Sequence, residues 1–188
     1  MILPVVVYGF PILKQKANEI ASEYPNLDEL IKNMWQTMYH AQGVGLAAPQ
    51  INLSIRLFVV DTLQLKDRKE DEPTFVGIKK AFINPQILEE SGEAWKYEEG
   101  CLSIPGIREN VERQAKVKIQ YQDEQFNTVV EEYDGINARV IQHEYDHIEG
   151  ILFTDKIKPL TKKLIQPKLN KIMRGDFKAE YRTKVFGK

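Results

Sequence analysis

His143-Glu144-Tyr145-Asp146-His147 is the stretch on which the reading of this chain turns. It matches H-E-x-x-H, and four residues make slightly more than one helical turn, so both imidazoles project from one face and can bind the same metal ion. Glu144 lies about 100° around from His143, near enough to reach a metal-bound water without being a ligand. The alternative is a chance meeting of two surface histidines and a glutamate. The helix carrying these residues should begin near Ile136 and end at Gly150, a glycine of the kind that follows helix C-termini. Ile136 and Val140 lie seven and three residues before His143 and continue its stripe, as core, as a pocket wall, or as both.

Working outward, Leu27, Leu30, Ile31, Met34 and Met38 recur at helical spacing, and Asn26 with Glu29 reads as a capping pair, so a first helix is expected over about 27–41. It should stop at Gly43-Val44-Gly45, where the small residues Ala47 and Ala48 and then Pro49 call for a tight loop lying close to something. Ile55 to Val60 and Ala81 to Leu88 read as strands, separated by a charged surface loop from Lys66 to Glu72. Val117, Ile119 and Tyr121 alternate with polar residues, as do Thr128 and Val130 after the polar turn 122–127, which predicts a hairpin.

The chain has 188 residues, enough for one sizeable core and too few for two ordinary domains. With 26 basic and 27 acidic residues, nothing global points to nucleic acid. The charge is uneven, however. Residues 154–188 hold eleven Lys and Arg against Asp155, Asp176 and Glu180, a local charge of +8, so the preceding body carries −9 of the overall −1. Within this basic extension Leu160, Leu164, Ile165, Leu169, Ile172 and Met173 have helical spacing that Pro167 should interrupt, and Tyr181 to Phe186 reads as a strand. No repeat or linker marks a second domain, so 1–188 reads as a single catalytic domain. The lone cysteine excludes an intramolecular disulfide. The apolar opening Met1 to Phe10 has no basic flank, and no stretch approaches the roughly 18 apolar residues of a membrane span. A cytoplasmic protein is expected.

A catalytic metal site needs a third protein ligand and an open position, and His40 and Cys101 are the soft candidates. Alone, Cys101 would pass for a buried apolar filler. Next to H-E-x-x-H it reads as a ligand, within Glu99-Gly100-Cys101-Leu102-Ser103, where Gly100 allows close backbone approach. Together, Gly43-Val44-Gly45-Leu46-Ala47-Ala48-Pro49-Gln50, Glu99-Gly100-Cys101-Leu102-Ser103 and Gln142-His143-Glu144-Tyr145-Asp146-His147 closely resemble, in order and separation, the three signature motifs of the peptide deformylases. The resemblance begins at Tyr8-Gly9-Phe10-Pro11-Ile12-Leu13 and runs to about Phe153.

The resemblance implies an α+β fold in which a central helix carries H-E-x-x-H among mostly antiparallel sheets. It implies that Cys101, His143 and His147 hold one divalent metal ion: Fe(2+) in the cell, with Zn(2+), Ni(2+) or Co(2+) able to replace it. Glu144 is then the acid/base, and the Leu102 N–H and the Gln50 amide receive the oxyanion. A cation held by one thiolate and two imidazoles lowers the pKa of its water, Glu144 takes the proton, and hydroxide attacks the formyl carbon of an N-formylmethionyl peptide. Glu144 returns the proton to the departing amine, and formate leaves. Gly43 and Gly45 would let an extended peptide pair with that backbone edge, and Val44, Ile136 and Val140 would wall the methionine pocket. Glu99 and Arg108 are expected near the substrate entrance, as an ion pair there or as an ordinary surface pair, and Asp146 either orients a ligand, caps the helix or faces solvent.

Two regions depart from the compact bacterial pattern: the charged loop around Lys66 to Glu72, which looks inserted, and the segment after Pro159, which does not clearly repeat the amphipathic C-terminal helix of the family. A basic tail suits weak contact with the ribosome. The rivals are an H-E-x-x-H metallopeptidase, weakened because Ile148-Glu149-Gly150 leads to no third histidine, and a non-catalytic peptide binder on a relic metal site.

Overall fold

A computed structural model describes residues 1–68 and 75–187, with side chains described throughout except at 66–68. Five strands, β2 (Gly45–Ala47), β3 (Leu57–Asp61), β4 (Lys79–Ser91), β7 (Lys116–Gln122) and β8 (Thr128–Asp134), form one antiparallel sheet in the order β2-β3-β4-β7-β8. Strand alternation gives the sheet two apolar faces. Leu57, Val59, Ala81 and Ile83 meet Ile31, Met34 and Met38 of helix α1 (Leu27–His40). Phe58, Val60, Phe82, Val117 and Ile119 meet Ile136, Ala138, Ile141 and Ile148 of helix α2 (Gly135–Ile148). Buried on nearly every side, α2 is the central helix the sequence calls for.

Strands β5 (Trp95–Cys101) and β6 (Ile104–Arg113) form a separate antiparallel hairpin, joined by the two-residue turn Leu102-Ser103. Its apolar residues Ile104, Ile107 and Val111 pack with Val6, Val7, Phe10, Phe153 and helix α3 (Pro159–Met173). Near the ends of the chain, β1 (Val5–Val6) pairs in parallel with β9 (Thr183–Lys184). The architecture is α+β with mostly antiparallel sheets, as expected. Among the described residues no helix is long and apolar enough to cross a membrane.

Several local expectations change. Asn26 makes no side-chain cap with α1. It is left-handed (φ 54°), a conformation asparagine tolerates, and only its carbonyl joins the helix, accepting the Leu30 N–H at 3.0 Å. The strand expected from Ile55 starts at Leu57, because the Arg56 guanidinium turns inward to Glu149 at 2.6 Å and the Pro85 carbonyl at 2.7 Å. Pro167 does not interrupt α3. It lies on the exposed face, where water can take the carbonyl bond it forgoes, while Ile165, Leu169 and Ile172 bury the opposite face. Helix α3 thereby supplies the amphipathic C-terminal helix that the sequence left unclear. The expected strand at 181–186 shortens to Thr183–Lys184. Of the charged stretch 66–72, the first residues end a 3-10 helix over Leu63–Arg68, and residues 69–74 lie outside the described residues.

Candidate metal centre

Helix α2 turns His143, Glu144 and His147 toward the turn that ends β5, and there they meet Cys101. Each of Cys101, His143 and His147 offers one ligand atom, all within 4.8 Å of one another, and Cys101 Sγ lies 3.2 Å from His147 Nε2. A cation bound at about 2.0–2.3 Å in tetrahedral geometry spaces its ligands by roughly 3.5 Å, so one thiolate and two imidazoles fit a divalent ion with small adjustments. A buried atom agrees with this: Glu144 Oε2 has no hydrogen-bond partner among the described residues, the position of a group that faces water or substrate. His40, the other soft candidate, is exposed at the end of α1 and outside this cluster.

The electrostatics divide the two imidazoles. His143 Nδ1 is 2.9 Å from Glu99 Oε2, so that nitrogen carries a proton and Nε2 is the atom turned to the ligand cluster. Burial disfavours a charged His143 ring, but the Cys101 sulfur and the Glu99 carboxylate outweigh it and hold its pKa above the ordinary value. Burial, with His143 and Arg113 nearby, pushes His147 down, and its Nδ1 has no partner among the described residues. Burial also pushes the Glu144 carboxyl up to about 7, where a group can accept and return a proton at neutral pH.

Glu99 corrects the expected ion pair. In the β5–β6 register Gly100 stands opposite Arg108, so Glu98, Gly100 and Arg108 share one face while Glu99 points to the other. Arg108 therefore lies over Gly100 and pairs with Glu98 at 2.8 Å, both largely exposed, and a Cβ at position 100 would come within 2.8 Å of its Nη1. Glu99 is buried and gripped by Arg113 through two bonds of 2.7 and 2.9 Å, and by Arg139 at 2.9 Å. Asp146 accepts Arg113 Nη1 at 2.7 Å. It neither touches a ligand nor faces solvent; Asp146, Arg113 and Glu99 form a buried chain that ends on His143.

Gln50 is 1% exposed, and its orientation is set by its own carbonyl: Oε1 accepts the Ala47 N–H at 2.8 Å, so Nε2 faces the cluster, 3.5 Å from Cys101 Sγ and 3.2 Å from Ser103 Oγ. Gly45 packs directly on the acid/base candidate. A Cβ there would fall 2.4 Å from Glu144 Oε1, so only glycine leaves that carboxyl in place.

A cleft of about 1200 Å³ opens onto the cluster, lined by Gly43, Val44, Gly45, Gln50, Glu99, Gly100, Cys101, Leu102, Arg108, Ile136, Val140, His143 and Glu144. His147 lies behind this wall, 1% exposed. The volume exceeds the usual span of small-molecule pockets, roughly 300–1,000 Å³, and suits a longer ligand. Arg113, Arg139 and Ser103 escaped the sequence reading. Arg139 alone left a signal, standing one turn before His143 on a helix otherwise rich in apolar residues.

Comparison with known proteins agrees with this geometry. The family model "Polypeptide deformylase" matches residues 2–163. Peptide deformylases of Christiangramia forsetii and Flavobacterium psychrophilum are each 53% identical, the first covering 97% of this chain and 95% of its own, the second 100% and 99%. Among solved structures, the peptide deformylase of Plasmodium falciparum is 40% identical with a TM-score of 0.80, covering 91% of this chain and 95% of its own. That of Legionella pneumophila is 36% identical with a TM-score of 0.79, covering 93% and 96%. Similarity of this depth runs through all three segments that converge on Cys101, and the chain belongs to the peptide deformylase family.

Proposed function

We propose that this chain hydrolyses the formyl group from the N-terminal methionine of newly made polypeptides, with Cys101, His143 and His147 holding one divalent metal ion. The observation that carries the reading is the meeting, in one cleft, of a Cys/His/His cluster, a carboxyl poised near 7 and an amide whose donor end is held toward the same point. Bound there, a divalent cation activates water and polarises the formyl carbonyl. Glu144 takes the proton of the attacking water and delivers it to the amine as the formyl C–N bond breaks, leaving formate and a free N-terminus. Gln50 Nε2 and the Leu102 N–H face the oxygen that becomes negative.

The peptide lies extended in the cleft. Strand β2 is an edge strand, and β5 pairs only with β6 among the described residues, so two unpaired edges border the cleft and offer main-chain bonds that ignore side-chain identity. Val44, Ile136 and Val140 supply the apolar wall for the methionine side chain. Glu99 acts on His143 and not on substrate.

Iron(II) is the assigned ion in the cell, with zinc, nickel or cobalt as substitutes, and the thiolate ligand makes an iron form oxygen-sensitive. Anaerobic preparation with metal analysis tests the assignment. The packing of Ile165, Leu169 and Ile172 into the core around β6 supports one catalytic unit over 1–188. The exposed Lys163, Lys168 and Lys171 on α3 support weak, salt-sensitive ribosome contact in the cytoplasm.

The deciding experiment measures formate release from formyl-Met-Ala-Ser beside internal peptide-bond cleavage, for wild type and Glu144→Ala. Formate from wild type alone is expected. Internal cleavage would favour a metallopeptidase, and binding without turnover a relic.

A further inference from the structure

The family match ends at residue 163, yet the chain beyond it returns to the cleft: Phe177, Ala179, Tyr181 and Thr183 form part of its lining. This returning strap is tied to the start of the chain. Val5 N–H donates to the Arg182 carbonyl at 2.9 Å, Val7 N–H donates to the Lys184 carbonyl at 3.1 Å, and the pairing of β1 with β9 holds the register. Thus anchored, Tyr181 donates its hydroxyl to the Leu102 carbonyl at 2.7 Å.

That carbonyl belongs to a peptide with an unusual lever. Cys101 and Ile104 pair across the turn, so Leu102 and Ser103 are its two central residues and the Leu102–Ser103 peptide is the central one. In a four-residue turn this peptide can turn over between the two common forms while the flanking amides stay nearly in place, so a bond to its carbonyl fixes both the turn's form and where the turn sits. Its neighbours hold the turn as well: Tyr8 N–H donates to the Ser103 carbonyl at 2.8 Å, and Gln50 Nε2 reaches Ser103 Oγ at 3.2 Å. Neither touches the central carbonyl. Tyr181 does, and a phenol remains a donor at neutral pH.

We infer that Tyr181 is a positioning residue, which tethers the Cys101–Ile104 turn through the Leu102 carbonyl and so holds the Leu102 N–H and Cys101 Sγ in place at the reacting centre. The inference rests on the deformylase reading above. It concerns only how the turn is held, since the hydroxyl contacts a backbone carbonyl and not the substrate. A purely packing role for the ring is the alternative, and the hydroxyl separates the two.

Tyr181→Phe keeps the ring and removes the donor. In zinc-loaded protein, kcat for formyl-Met-Ala-Ser should fall roughly threefold to tenfold, the worth of one neutral hydrogen bond felt in the transition state, while KM changes less than about twofold. Thermal midpoint and zinc content should match wild type. A second readout does not depend on turnover. With leucine labelled at the carbonyl carbon and serine at nitrogen, only Leu53-Ser54 and Leu102-Ser103 give cross-peaks, and Tyr181→Phe should move the second while the first stays as an internal reference. An unmoved Leu102 carbonyl, an unchanged kcat, or a loss confined to KM or to thermal stability would overturn the inference. Wild-type protein that releases no formate overturns the activity itself, and that control distinguishes the two failures.

Discussion

Removing the Glu99 carboxylate should damage both the fold and the metal site. In Glu99→Ala, Arg113 loses bonds of 2.7 and 2.9 Å, Arg139 loses one of 2.9 Å, and His143 Nδ1 loses its acceptor at 2.9 Å. The buried cluster now balances two guanidinium groups against Glu99 and Asp146, and the substitution leaves one positive charge in excess where Arg113 and Arg139 are nearly inaccessible. Breaking a buried pair from one side costs about 3–5 kcal/mol, so urea unfolding of metal-free protein should show that loss, a fall of about 6–20 °C in Tm for a chain of this size. Separately, a His143 ring no longer held in its tautomer should weaken zinc binding about 10- to 100-fold, read by competition with a chromophoric chelator. Glu99→Gln keeps an acceptor and the shape and should fall between. Adding Arg113→Met to Glu99→Ala restores the charge balance, so the double variant should be less unstable than the sum by about 1–3 kcal/mol. A Glu99→Ala protein that loses less than about 1 kcal/mol and binds zinc like wild type would refute the idea that this carboxylate orients the ligand.

Two further outcomes follow from other buried or partly buried carboxyls. Glu144 is buried with one oxygen unpartnered, so Glu144→Gln should leave the urea midpoint of metal-free protein equal to or above wild type while formate release falls by about 10²–10⁴; a clear loss of stability would contradict this. Asp155 resists burial because Lys14, Lys162 and the Leu152 N–H hold its pKa down to about 2, below the unfolded value of about 3.9. A depressed carboxyl pKa stabilises the fold above the unfolded value, so the advantage of wild type over Asp155→Asn should be full above about pH 4 and vanish as the pH falls toward 2, as measured by unfolding at a series of pH values.

What could be read from the chain alone was what short-range periodicity encodes. His143, Glu144 and His147 lie within one helical turn, so their common direction follows from 3.6 residues per turn. The β7–β8 hairpin followed from alternation in the same way. Glu99 was misread for a related reason. Strand parity says that Glu98 and Glu99 face opposite sides, but which side is the interior depends on what the β5–β6 hairpin packs against, and both residues are glutamate. Arg113, Arg139 and Asp146 are harder still. Their spacing from Glu99 has no period, and a charged side chain reads as surface until its partner is known, because burial becomes affordable only once the opposite charge is in place. Helix α3 shows the same dependence from the other side: Pro167 forbids an interior helix but not one whose proline faces water, and that face is decided by what Ile165, Leu169 and Ile172 find to pack against. Groups that bind metal or move protons thus announce themselves locally, whereas the groups that aim them act through pairings made only when distant segments meet. The strap carrying Tyr181 belongs to the second kind, since its place at Leu102 depends on pairing with the first residues of the chain, far from it in sequence.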